Sequence, residues 1–199
     1  MADLGPELPP WVGLRPAAGR LLVSAPLLTG PAFFRTVVYL LEHRDDDDTA
    51  GGTVGVILNR PSRTPVGQVL PDWQDVMSAP SVVFSGGPVL PDGALCLGHA
   101  LSEATGLRFV CDGVATVDLD AEVALIQGVT DQLRVFAGHS GWSPGQLADE
   151  LAAGAWYVVD GSTRDVFSDD PAPLWQRVLR RQPPPLSLLS TYPVDPLVN

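Results

Sequence analysis

The chain has 199 residues, 45% of them apolar, which suits one domain able to bury roughly 70% of the surface that its unfolded form exposes. Aspartate and glutamate number 23 against 12 basic residues, all of them arginine, for a formal charge of −11; such a field repels phosphate backbones and anionic lipid, and argues against direct nucleic-acid or membrane binding. The apolar run from Leu21 to Phe34 is too short to span a bilayer and is broken by Pro26, Gly30 and Pro31, while Asp3 and Glu7 stand where a secretory leader is basic, so the expected location is the cytoplasm.

Residues 1–18, with four prolines and no hydrophobic period, read as an extended arm before a single domain over 19–181. Gly19 to Ser24 starts an apolar strand. The β-branched and aromatic run Arg35 to His43 and the run Thr53 to Asn59 flank a polar loop holding Asp45 to Asp48, which predicts an antiparallel hairpin. Val66 to Leu70 is compatible with a short helix, with a loop then running through Pro80. Strands are predicted at Ser81 to Phe84, Leu95 to Gly98, Leu107 to Cys111 and Val114 to Val117. A helix over Ala121 to Gln127 follows, capped by Asp118 or Asp120.

Leu133 to Ala137 reads as a strand entering a glycine-rich turn, Gly138-His139-Ser140-Gly141-Trp142. Ser143-Pro144-Gly145-Gln146 has capping-box spacing, with Ser143 Oγ expected to accept from the Gln146 amide. The helix so begun is predicted to run about ten residues to Gly154, with Leu147 and Leu151 on one face and Asp149 and Glu150 near its positive end. Trp156 to Val159 returns as a strand. Pro171 to Arg181 forms a last helix with Leu174, Trp175, Val178 and Leu179 inward, and the prolines after Gln182 leave 182–199 as an irregular tail.

The signature from Phe136 to Val159, together with Leu58-Asn59-Arg60-Pro61 and Ser85-Gly86-Gly87-Pro88-Val89, closely resembles the YqgE/AlgH family of bacterial proteins. Many short strands with a few helices already give an α+β class. The resemblance implies a mixed, branched sheet curling into a small barrel with helices around it. A label of transcriptional regulator travels with the AlgH name, but the family's activity is unsettled, and no basic recognition helix is visible here.

Gly138-His139-Ser140-Gly141-Trp142 is similar to the nucleophile elbow GxSxG, although Trp stands at the fifth position. The family pattern accepts Ala where this chain has Ser140, so the glycines are expected to shape the backbone, and no catalytic residue is assigned. Gly86 and Gly87 suggest either a tight turn or a nest of amides for an anion, with no P-loop Lys following. Arg35, Asn59 and Arg60 sit at strand ends. With Gly86, Gly87, Ser140, Trp142 and Gln146 they make up the candidate binding set. The structural alternative has Arg35 paired with Glu42 or Glu150, and Asn59 closing a turn before Pro61.

His43, His99 and His139 lack ligand spacing, and Asp45 to Asp48 lacks the glycine and terminal glutamate of an EF-hand, so neither a metal nor a cofactor is expected. Cys96 and Cys111, in separate apolar contexts, read as reduced thiols. Any buried arginine is expected to meet an anion or a backbone carbonyl, and Trp142 and Trp156 are expected in the core. The function read from these features is a non-catalytic module, either regulatory or binding a protein or a small-molecule ligand. The alternative is an anion- or small-molecule-binding enzyme using a crevice near Asn59, Gly86 and Trp142.

Overall fold

The structure, a computed structural model, describes residues 14–28, 30, 32–44 and 51–193. Most of the N-terminal arm, the four-aspartate loop and the last six residues lie outside the described residues. Among the described residues ten strands form one curled sheet in the order β10-β1-β2-β3-β9-β6-β8-β7, with β4 and β5 branching from it. The strands are β1 (Arg20–Ser24), β2 (Val37–Arg44), β3 (Gly52–Ile57), β4 (Pro61–Pro65), β5 (Val82–Ser85), β6 (Val89–Ala100), β7 (Leu107–Cys111), β8 (Val114–Val117), β9 (Thr130–Trp142) and β10 (Trp156–Asp160).

Strand β9 creates the branch. Its first part pairs antiparallel with β6, its middle also takes β5 in parallel at Phe84↔Phe136, and its last three residues pair with β3 at Thr53↔Trp142, Val54↔Gly141 and Gly55↔Ser140. One strand thus serves three neighbours, and the sheet closes into a half-barrel with helices against it. The α+β expectation and the mixed, branched sheet stand, and β2 and β3 form the expected hairpin, with a bulge between Leu40 and Glu42.

Side-chain alternation explains the two cores that sandwich the sheet. Leu21 and Val23 of β1 point to one face with Tyr39, Phe84, Leu97 and Phe136, against Trp175, Val178 and Leu179; Leu22 points to the other with Val38, Leu40, Ile57, Trp142 and Trp156. Burial on both faces is why these strands read as continuous apolar runs rather than as alternating ones. A third cluster, with Trp73, Cys96, Ile126 and Leu133, closes the far end of the half-barrel.

Among the described residues five short α-helices, α1 (Val123–Gln127), α2 (Gln146–Ala152), α3 (Thr163–Val166), α4 (Leu174–Arg180) and α5 (Leu186–Leu189), join two 3-10 helices, Val66–Gln68 and Pro71–Val76. The predicted apolar stripe of α4 is fully buried, and the Trp175 indole donates to the Ser24 carbonyl at 2.9 Å. In α2, Leu147 and Leu151 are buried as predicted, but the helix has seven residues and its cap differs. Gly145, at φ 78°, occupies the N-cap without a side-chain bond, and Gln146 Oε1 accepts from the Ser143 amide at 3.0 Å. Only the return half of the capping box forms. Helix α1 likewise lacks a side-chain cap; Asp118 instead accepts from the Asp120 amide.

Three further elements depart from the sequence reading. Strand β4, from Pro61 to Pro65, occupies a stretch for which no element is expected from the sequence; it pairs with β5 alone, and an edge position tolerates prolines that cannot donate. The true capping box is at α3, where Asp165 accepts from the Ser162 amide and hydroxyl at 3.0 and 2.8 Å. Helix α5 stands in the tail expected to be irregular, because Leu186 joins the core beside α4.

Candidate functional site

The predicted glycine-rich turn at Gly138 to Trp142 is strand. Gly138, at φ 69°, lets β9 bend around the incoming Gly86-Gly87 segment: a Cβ at Gly138 would stand 2.6 Å from the Gly87 carbonyl oxygen, and one at Gly87 would stand 2.3 Å from the His139 carbonyl. The glycines therefore mark the close crossing of two backbones. The Gly86 amide donates to Ala137 O at 2.8 Å, and the Ser85 amide to Arg60 O at 2.8 Å. Amides engaged in this way do not form an anion nest.

Ser140 is fully buried, and its Oγ donates to the Gly86 carbonyl at 3.1 Å, where the Ile57 amide also arrives at 2.9 Å. This serine straps β9 to the crossing segment. Among the described residues no histidine bonds to it: His99 Nδ1 lies 2.6 Å from Asp131 and His43 Nδ1 lies 2.7 Å from Thr53. Nor, among the described residues, do three or more His, Cys, Asp or Glu side chains gather as metal ligands would.

Asn59, Arg60 and Arg35 gather around the turn into β2. The Asn59 amide oxygen accepts from the Val37 amide at 3.0 Å and its nitrogen donates to Arg35 O at 2.8 Å, so it stitches across to β2 rather than closing its own turn. Arg60 donates to Phe34 O. Arg35, at φ 50°, meets neither Glu42 nor Glu150; it donates to Tyr192 O and lies over the Trp175 ring, 4.7 Å from its centroid. Burial lowers the pKa of both guanidinium groups below the ordinary value.

Trp142 and Gln146 belong to a third group, organised by a residue the sequence reading missed in this role. Glu150 accepts from the Trp142 indole at 2.9 Å, the Trp156 indole at 2.7 Å and the Gln146 amide at 2.9 Å. Both rings are buried as expected, with Phe33 packed on them at centroid distances of 6.0 and 5.3 Å. A carboxylate sharing two indole donors is a strong local tie. Its only trace in the sequence is the i, i+4 spacing of Gln146 and Glu150 on α2.

The eight candidate residues thus fall into three groups and do not line one crevice. A cleft of about 660 Å³ opens beside them; among its lining residues are Glu42, Arg44, Thr53, Val89, Trp142 and Ser143. Of the eight, Trp142 alone borders it. Glu42 and Arg44 form an ion pair on the rim, Val89 is 38% exposed, and Gly141 offers its backbone. Elsewhere the arginine expectation holds: Arg134, only 2% exposed, donates to the carbonyls of Val166, Ala79 and Ser168 at 2.7, 2.8 and 2.9 Å. Desolvation lowers its pKa to about 10, against a counteracting pull from Asp169. Cys96 and Cys111 are free thiols, and burial pushes Cys96 up to about 12.

Comparison with known proteins decides the lineage. A model of the AlgH-like family matches residues 21–187. The chain belongs to that family. A protein of Streptomyces coelicolor in the UPF0301 group is 47% identical over 187 residues, covering 91% of this chain and 94% of the relative. One from Thermobifida fusca is 44% identical over 191 residues, with the same coverage. A crystal structure of a protein from Corynebacterium diphtheriae superposes with a TM-score of 0.83 at 32% identity, covering 90% of this chain and 94% of that one. The solution structure of AlgH from Pseudomonas aeruginosa, at 24% identity and a TM-score of 0.66, covers 90% and 97% and shares the fold. Among the described residues of this AlgH-like chain, no helix is long and apolar enough to cross a membrane.

Proposed function

We propose that this AlgH-like protein is a non-catalytic binding module whose site is the cleft between the β2–β3 hairpin, Val89 and the 141–144 segment. The observation that carries the reading is where the polar groups go. Ser140, Asn59 and Arg60, the residues best suited by type to chemistry, direct their side-chain hydrogen bonds to the protein's own backbone. Groups so engaged are unavailable to a substrate. The cleft instead presents the Thr53 and Ser143 segments, an apolar Val89 wall and the Glu42–Arg44 pair, a mix suited to a small polar ligand or a peptide side chain. We place the protein in the cytoplasm, a reading supported by its two unpaired cysteines.

The test uses Gly141. A Cβ there would meet only ordinary contacts, at 3.7 Å from Val89 and 4.0 Å from Thr53 O, so the backbone accepts a side chain at this position, and Gly141→Arg is expected to fill the cleft with the fold intact. A metabolite and peptide panel screened by thermal shift is expected to yield compounds that stabilise the native protein and not Gly141→Arg. Compounds that stabilise both equally, or that are chemically converted, contradict the proposal.

A further inference from the structure

A second cleft, about 520 Å³ and separate from the first, is bordered by α3, α4 and Gln132 of β9. Three of the chain's twelve arginines, Arg164, Arg177 and Arg181, line it together with Ser168. In a protein of net charge −11 such a concentration of guanidinium groups stands out. Asp165 and Asp169 also line it, and Asp170 stands beside it. Asp165 is gripped by Arg181 through two bonds of 2.6 and 2.8 Å and also caps α3, while Asp169, exposed, acts on the buried Arg134 through its charge and makes no ion pair with the cleft's arginines. Asp170 reaches Arg177 only at 3.8 Å, with both side chains exposed, and such a pair binds weakly.

Two guanidinium groups therefore keep donors to spare. Arg164 is exposed and, among the described residues, has no hydrogen-bond or ion-pair partner. Arg177 is oriented by a single bond to the Ser168 hydroxyl. That hydroxyl is in turn fixed by Asp170 O, and the Ser168 carbonyl is held by Arg134. The wall behind the arginines is thus rigid, and the cleft lies within the range of roughly 300–1,000 Å³ typical of small-ligand sites.

We propose that this cleft binds the phosphate group of a small phosphorylated metabolite, held by Arg164 and Arg177 with Arg181 behind them. Guanidinium forks match the oxygens of a phosphate, stay charged at every physiological pH and give bidentate bonds. The cleft exceeds what a phosphate alone fills, and Gln132 can meet the organic remainder. This proposal is independent of the first cleft.

The experiment titrates the full chain, followed by calorimetry, with inorganic phosphate, a sugar phosphate and succinate at constant ionic strength. Both phosphate probes are expected to bind, the sugar phosphate more tightly, with succinate much weaker. Losing two charge-assisted contacts in Arg164→Gln/Arg177→Gln should weaken phosphate binding by about tenfold or more, with the unfolding midpoint lowered only slightly by loss of the Arg177–Ser168 bond. Arg164→Gln alone, which removes no internal contact, should weaken it in the same direction. Phosphate probes that fail to bind at millimolar concentration, binding unaffected by Arg164→Gln, or succinate binding as tightly as the sugar phosphate would each overturn the proposal.

Discussion

Ser140 and Gly141 are neighbours on β9, yet they belong to different worlds. Ser140 is fully buried with its hydroxyl on the Gly86 carbonyl, at a crossing so tight that no Cβ fits on the opposing glycines; Gly141 is exposed on the wall of the 660 Å³ cleft, with room to spare. Alternation along a strand sends successive residues to opposite faces, so a single motif is half scaffold and half surface. Residues that look reactive by type are not reactive when their partners are already in place.

The scaffold half should fail first under mutation. Gly87→Ala drives a methyl group into the His139 backbone and should cost more than about 3 kcal/mol or abolish folding; denaturant unfolding reads this directly, and an unchanged midpoint would mean that the crossing is loose. Trp156→Ala empties a fully buried site and removes one of the three donors to the Glu150 carboxylate, for an expected loss of about 3–5 kcal/mol. Asn59→Ala leaves the Val37 amide without its acceptor and should cost about 2 kcal/mol. A smaller loss would show that water replaces the stitch. The mildest contrast is between the thiols: an aromatic disulfide reagent at pH 8 should label the partly exposed Cys111 and leave Cys96, pushed up to about 12 by burial, unmodified until the chain unfolds. Rapid labelling of both would show that the Cys96 core opens in the native state.

Much of the fold was legible because its signals are local. The stripe Leu174, Trp175, Val178, Leu179 repeats at helical spacing, and two β-branched runs around a polar loop make a hairpin. The run from Gly138 to Trp142 misled because glycines in sequence signal turns, whereas here they answer to Gly86 and Gly87, far away along the chain. The Ser162–Asp165 capping box was readable in principle, its Ser-x-x-Asp spacing being a standard helix-start pattern. The candidate site was legible only in part. Arg35, Asn59 and Arg60 are indeed clustered, but by the backbone they support, and Trp142 alone reaches the cleft. The cleft forms where Thr53, Val89 and Ser143 meet through sheet curvature, which no spacing within a single segment encodes.

The most direct test of the division within β9 compares Ser140→Ala with Gly141→Arg in one experiment, measuring the unfolding midpoint with and without a ligand that stabilises the native protein. The account predicts that Ser140→Ala lowers the ligand-free midpoint, at a cost of about 1 kcal/mol, while keeping the ligand-induced rise, and that Gly141→Arg holds the midpoint within about 0.5 kcal/mol while losing the rise. The opposite pattern, a stable Ser140→Ala that no longer responds beside a Gly141→Arg that responds fully, would contradict it.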